Sequence, residues 1–487
     1  MYANKLIQLL KSFGRREMTR FLEFAHSPYF NKHDGVRALV AYLSDVFPAF
    51  GEQNCEREVV FQALYPGEPH DQPRLALLFT YTKRLAEHFL RAEQLEGAPR
   101  EQDLLLLRGL RERQQYQIYD KALQEARARA HQAAFRDSGW YYHQYQLASE
   151  ADFFYTLTSE RRTDHSLEQK QEALDRFYLA EKLRDACEME VRSRILKLHH
   201  AHPQADWAVQ EVGRQLDTYL QEPAIAIYYR LYRMISEGGA ASYFEARHAL
   251  EECQPYLAVP ELKAIYNYLQ NHCIQQINQG EEPFLEEIFR LYQAQLDRGL
   301  LLEGDYLSEW HYKNIVTTGL RLHELGWVRQ FIEAYREKLP PEVRDNAFRF
   351  NLASYYYAAR QYGEVLRLLT QVEYSDLRYN LGAKALLLRT YYDLGEYEAL
   401  ASLTESFKQY LHRNKLMADV RRQGYYNLFM LTRRAASLRF NLGYYSTERS
   451  RREMARLQNA IGKADAIFNK GWLQEKVASL AELVGKL

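Results

Sequence analysis

The chain has 487 residues, 47% hydrophobic and 26% charged, which is ordinary for a folded protein and too long for one compact core. Lys plus Arg and Asp plus Glu each number 64, so no whole-molecule attraction to a polyanion operates. The longest apolar runs, such as Leu104–Leu107, fall far short of the ~18 residues that a membrane span needs, so no membrane association is expected.

The N-terminus is amphipathic and interrupted by Lys5, Lys11, Arg15 and Arg16, unlike a secretory leader. Cys55, Cys187, Cys253 and Cys273 form no Cys-x-x-Cys pair and read as reduced, buried thiols. A cytoplasmic location is therefore expected. The 38 tyrosines suit half-buried positions between helices, where an apolar ring carries a polar tip.

Almost every segment has helical periodicity, which predicts an all-α fold. Residues 1–96 read as a small helical unit. Its helices span about Asn4–Phe13, ending at Gly14, and Arg15–Ala25, stopped by Ser27-Pro28. Asp34 is the expected cap of a third, Asn54 of a short fourth, and Asp71 with Pro73 opens a fifth. Leu95–Gln102, with Gly97 and Pro99, reads as a linker.

Residues 103–205 read as longer helices without clear register. They include Leu110–Arg136, Trp140–Thr158, and a helix opened by a capping box at Ser166 and Gln169 and closed by Pro203. Shorter hairpins follow over 206–445, with breaks at Gly238-Gly239, Gly280 and Gly326.

One pattern then recurs three times. Gly319, Leu322, Gly326 and Phe331 are matched by Ala353, Tyr356, Arg360 and Val365, and again by Leu388, Tyr391, Gly395 and Leu400. The steps from Gly326 to Arg360 and on to Gly395 are 34 and 35 residues, the period of stacked helix hairpins. On these residues the segment 313–412 resembles tetratricopeptide repeats, and the hairpins from about 206 extend the likeness as a helical solenoid. The resemblance implies a right-handed α-solenoid that recognises a protein or peptide partner. The first helix of each hairpin would line a concave groove. Carried over by position, the groove candidates are Lys313, His323, Ser354, Tyr357, Arg389 and Tyr392. Stacking is also what hairpin physics requires, since one hairpin cannot bury its own apolar face.

The zero net charge hides a local excess. Lys408–Lys463 holds thirteen Lys or Arg and three acids. Arg421, Arg422, Arg433, Arg434 and Arg439 alternate there with aromatics that include Tyr425 and Tyr426. On a single helix over Leu416–Leu442, Arg422 and Arg433 lie about 20° apart around the axis. Three readings remain open for this stretch: pairing with acidic neighbours, an acidic protein partner, or a single-stranded nucleic-acid track. The Gly14 turn followed by Arg15, Arg16 and Arg20 permits a related alternative, a ligand-sensing regulator with a DNA-reading N-terminal unit.

His199, His200 and His202 cannot all face one point on a helix, so no metal site is expected, and no cofactor either. The chain has no Gly-rich phosphate loop, His-Glu-x-x-His or Gly-x-Ser-x-Gly, and no enzymatic activity is expected. Residues 446–487 read as a capping helix that begins near Ser450 and Glu453 and seals the array with Ile461, Phe468, Trp472 and Leu480. Nothing in the sequence sets an oligomeric state.

Overall fold

A computed structural model describes residues 4–158, 165–196, 203–370, 377–413 and 419–486. Among these residues the fold is all-helical, apart from a two-residue ladder pairing Leu302–Glu303 with Tyr306–Leu307. The chain divides into two compact units, residues 1–229 and 230–487. No helix among the described residues is long and apolar enough to cross a membrane.

The first unit contains α1 (Lys5–Lys11), α2 (Arg15–His26), α3 (Asp34–Asp45), α4 (Glu52–Cys55), α5 (Arg57–Leu64), α6 (Gln72–Glu96), α7 (Pro99–Glu112), α8 (Tyr116–Gln132), α9 (Ser138–Thr158), α10 (Ser166–Leu196), α11 (Pro203–Arg214) and α12 (Leu216–Tyr219). The 25-residue α6 is the spine of its N-terminal part. Leu75, Leu78, Phe79, Leu85, Ala86 and Phe89 form one buried stripe along it, and Phe13 and Phe21 meet Phe89 at 5.8 and 5.4 Å. Asp71 caps this helix through Arg74 N–H at 3.0 Å.

Three expected boundaries move here. The cap of α3 is the His33 ring, which accepts from Val36 N–H, so Asp34 is the first helical residue. Asn54 lies inside α4, and α5 starts after Glu56. The expected linker shrinks to Gly97 and Ala98, because Pro99 occupies the first turn of α7, where its missing N–H costs nothing. The Leu110–Arg136 stretch is likewise two helices, broken where Gln114 turns left-handed and Gln115 N–H returns to Leu110 O.

Helix α13 (Pro223–Glu237) leads into the second unit. That unit contains α14 (Ala240–Cys253), α15 (Val259–Gln279), α16 (Pro283–Asp297), α17 (Glu309–Arg321), α18 (Leu325–Ala334), α19 (Arg344–Ala358), α20 (Tyr362–Leu369), α21 (Leu377–Leu394), α22 (Tyr397–Arg413), α23 (Asp419–Asn441), α24 (Thr447–Lys463) and α25 (Lys470–Gly485).

One turn recurs through this unit. Gly280, Gly299, His323, Arg360 and Gly395 all have φ between 58° and 98°, and the next N–H returns to a carbonyl five residues back each time. This is the helix-ending motif that a left-handed residue permits. It shifts the register of the first repeat: His323 is the turn equivalent to Arg360, and Gly326 sits in the first turn of α18. The hairpin steps are therefore 37 and 35 residues, read from His323 to Arg360 to Gly395. Gly319 marks a close helix crossing, since a Cβ there would lie 2.5 Å from Val328 Cγ2.

Helix α17 packs on α18 and α19, α19 on α20 and α21, α21 on α22 and α23, and α23 on α24 and α25. Each first helix thus touches its own second helix and the next first helix. A continuous core from Leu381 to Val484, with Phe407, Tyr425, Phe429 and Leu473 at its centre, ties the last of these helices together.

The terminal region is two helices rather than one. Ser446 caps α24 by accepting from Arg449 N–H, while Ser450 is buried inside that helix. The linker to α25 is pinned to α23: Phe468 N–H donates to Gly424 O at 3.0 Å and Asn427 Nδ2 to Ala466 O at 2.8 Å.

Candidate partner-binding face

Three of the six groove candidates converge. Tyr357 on α19 donates its hydroxyl to Asp393 on α21, and Asp393 also faces Lys476 Nζ of α25 at 3.0 Å. The Arg389 guanidinium lies 4.3 Å from the Tyr357 ring centroid and 5.4 Å from that of Trp472. Tyr392 meets Trp472 edge to face at 5.6 Å. Arg439 of α23 donates to Tyr392 O at 3.0 Å and leans on the Tyr392 ring. Burial raises the Tyr357 phenol above its ordinary pKa, with Arg389 opposing and Asp393 reinforcing. Arg389 and Asp393 are four residues apart on α21, so they share one face.

The other three candidates sit elsewhere. Lys313 is half-buried, its ammonium 5.6 Å from the Phe350 ring. Ser354 donates its hydroxyl to Phe350 O in its own helix at 3.0 Å. His323 is an exposed turn residue after α17 and does not lie on the helix face expected of it. Sequence reasoning missed Asp393 and assigned Trp472 only to the cap. The signal available for Asp393 was its four-residue spacing from Arg389.

The arginines of the basic segment differ in their partners. Arg422 pairs with Asp419, Arg433 Nη1 stands 3.4 Å from Glu405, and Arg439 belongs to the α21 cluster. Arg421 lies beside the Tyr425 phenol, which burial pushes up to about 12. Tyr425 is 2% exposed and stacks on Phe468 at 4.2 Å; Phe429, also buried, stacks on Phe407 at 3.8 Å. These rings are turned inward, where they cannot stack on bases. Tyr426 is half-buried beside Arg422, Lys408 and His412, and Arg434 lines a separate slot described below.

In the N-terminal unit, Arg20 pairs with Glu93 of α6, and Glu17 accepts from Gly14 N–H. All four cysteines are buried and free, and burial raises the thiols of Cys253 to about 11 and Cys273 to about 12. The described residues contain no group of three or more His, Cys, Asp or Glu placed to hold a metal; His199, His200 and His202 lie outside them.

No family model, no curated protein and no solved structure matches the chain.

Proposed function

We propose that the protein is a non-enzymatic, cytoplasmic scaffold whose second unit is a right-handed, tetratricopeptide-like solenoid. Its ligand is a helix or peptide of a protein partner, laid along the first helices α17, α19 and α21. The observation that carries the reading is the direct succession of these helices, ending at the Tyr357–Arg389–Asp393 cluster. Aromatic and arginine side chains with part of their surface free are the residue types that dominate protein recognition energies. Helix α25 indicates the kind of element this face accepts. It presents Trp472 and Lys476, four residues apart on one stripe, to Arg389, Tyr392 and Asp393. A partner helix would extend the same mode of contact over α17 and α19, where Trp310 is 45% exposed.

The test is selection of helical peptides from a displayed library against the full chain, followed by anisotropy titration of the winners. Arg389→Ala and Trp310→Ala are expected to weaken binding about tenfold each, the loss of one anchor of ~1.4 kcal/mol. Binders indifferent to both substitutions would contradict the proposal.

A further inference from the structure

The last hairpin holds a slot that the groove reading does not use. It lies between the C-terminal half of α23 and the first half of α24 and encloses about 400 Å³. Its floor is apolar: Leu438 and Leu457 are 4% and 3% exposed. Its rim is basic, with Arg434 from one helix and Arg449 and Arg456 from the other. Arg449, Glu453 and Arg456 follow one another at spacings of four and three, so they share one face of α24.

The three guanidiniums are not equivalent. Arg456 Nη1 is held by Glu453 at 2.7 Å. Arg434 and Arg449 have no carboxylate within ion-pair distance among the described residues. The Arg449 guanidinium carbon sits over the Tyr445 ring, 3.8 Å from its centroid, a cation–π contact that restrains the side chain. A restrained guanidinium loses less entropy on binding than a free one does, and it matches the planar geometry of a carboxylate.

We infer that this slot binds an acidic peptide segment. One Asp or Glu carboxylate meets each of Arg434 and Arg449, and an aliphatic side chain between them rests on Leu438 and Leu457. Glu453 is what selects a carboxylate over a phosphate. It neutralises the third arginine and stands in the slot, where a doubly charged group would be repelled more strongly than a singly charged one. Nucleic acid is disfavoured because, of the three aromatics between Arg422 and Arg433, Tyr425 and Phe429 are buried and Tyr426 is half-buried. The slot is a seam within one hairpin, so it is independent of the groove proposed above.

The experiment uses the full chain and labelled peptide pools of about twelve residues. One pool is built from Glu, Asp and Leu, and its amide twin from Gln, Asn and Leu. A phosphoserine pool and a single-stranded oligonucleotide serve as competitors. The acidic pool is expected to bind at low salt and the amide twin not to bind. The double variant Arg434→Gln/Arg449→Gln should weaken acidic-pool binding at least about tenfold with unchanged melting. A control with equal loss of charge, Arg451→Gln/Arg452→Gln, should bind as the parent does, because these arginines do not line the slot. Arg389→Ala should also bind as the parent, which separates failure here from failure of the groove. The inference is overturned by no retention of the acidic pool at low salt, by equal binding of the amide twin, or by equal losses in the two charge variants. Preferential binding of the phosphoserine pool or the oligonucleotide also overturns it.

Discussion

Arg360 and His323 hold left-handed backbone, at φ 58° and 59°, where the equivalent turn of the next hairpin has Gly395 at 78°. A side chain in that region costs about 1–2 kcal/mol, which glycine avoids while losing some of the gain to its freer unfolded chain. Arg360→Gly should therefore stabilise the protein by about 0.5–1 kcal/mol. Gly319→Ala should do the opposite, by roughly 1–3 kcal/mol, because the added methyl meets Val328 and Phe289 across a tight crossing. Urea melts of the two variants check both signs. The sequence made the wrong glycine conspicuous. Gly326 stood near the expected turn and set the repeat register, while His323, one of the few non-glycine residue types enriched in this conformation, carried the turn.

At the scale of elements, helix identity was largely legible because the apolar spacing of 3.6 residues survives in α3, α6, α18 and α20. Boundaries were less so, as competing polar residues offered equally plausible caps. Ser450 had the right spacing to Glu453, but Ser446 caps α24, and the chain spends Ser450 inside the core. The break between α24 and α25 was hidden for a different reason. Ile467 and Phe468 look like helix-core residues, yet they pack as linker against the terminal core, with Phe468 on Tyr425. Helix α25 is fastened by Leu473, Val477, Leu480 and Val484, with Trp472 bridging to Arg389 and Tyr392. Trp472→Ala should cost about 3 kcal/mol, and amide exchange should speed up first in α25. Unchanged exchange there would show that Trp472 does not fasten the helix.

At the scale of the whole molecule, the all-helical class and the chain of first helices follow from patterns local in sequence. The candidate site was half legible for the same reason. Tyr357 and Arg389 meet because successive hairpins place α19 beside α21, the helix that also carries Tyr392. Lys476 and Trp472 join them through a contact between α21 and α25 that no local periodicity encodes. The basic segment was legible as composition but not as geometry, since charge counts do not reveal which arginines find partners. In the function proposed here, the first helices of the second unit form one recognition face. Hydrogen exchange of the full chain, with and without a peptide selected against it, tests this most directly. Slowed exchange in α17, α19 and α21 is the predicted result; slowing confined to residues before 230 or to the second helices α18, α20 and α22 would contradict it.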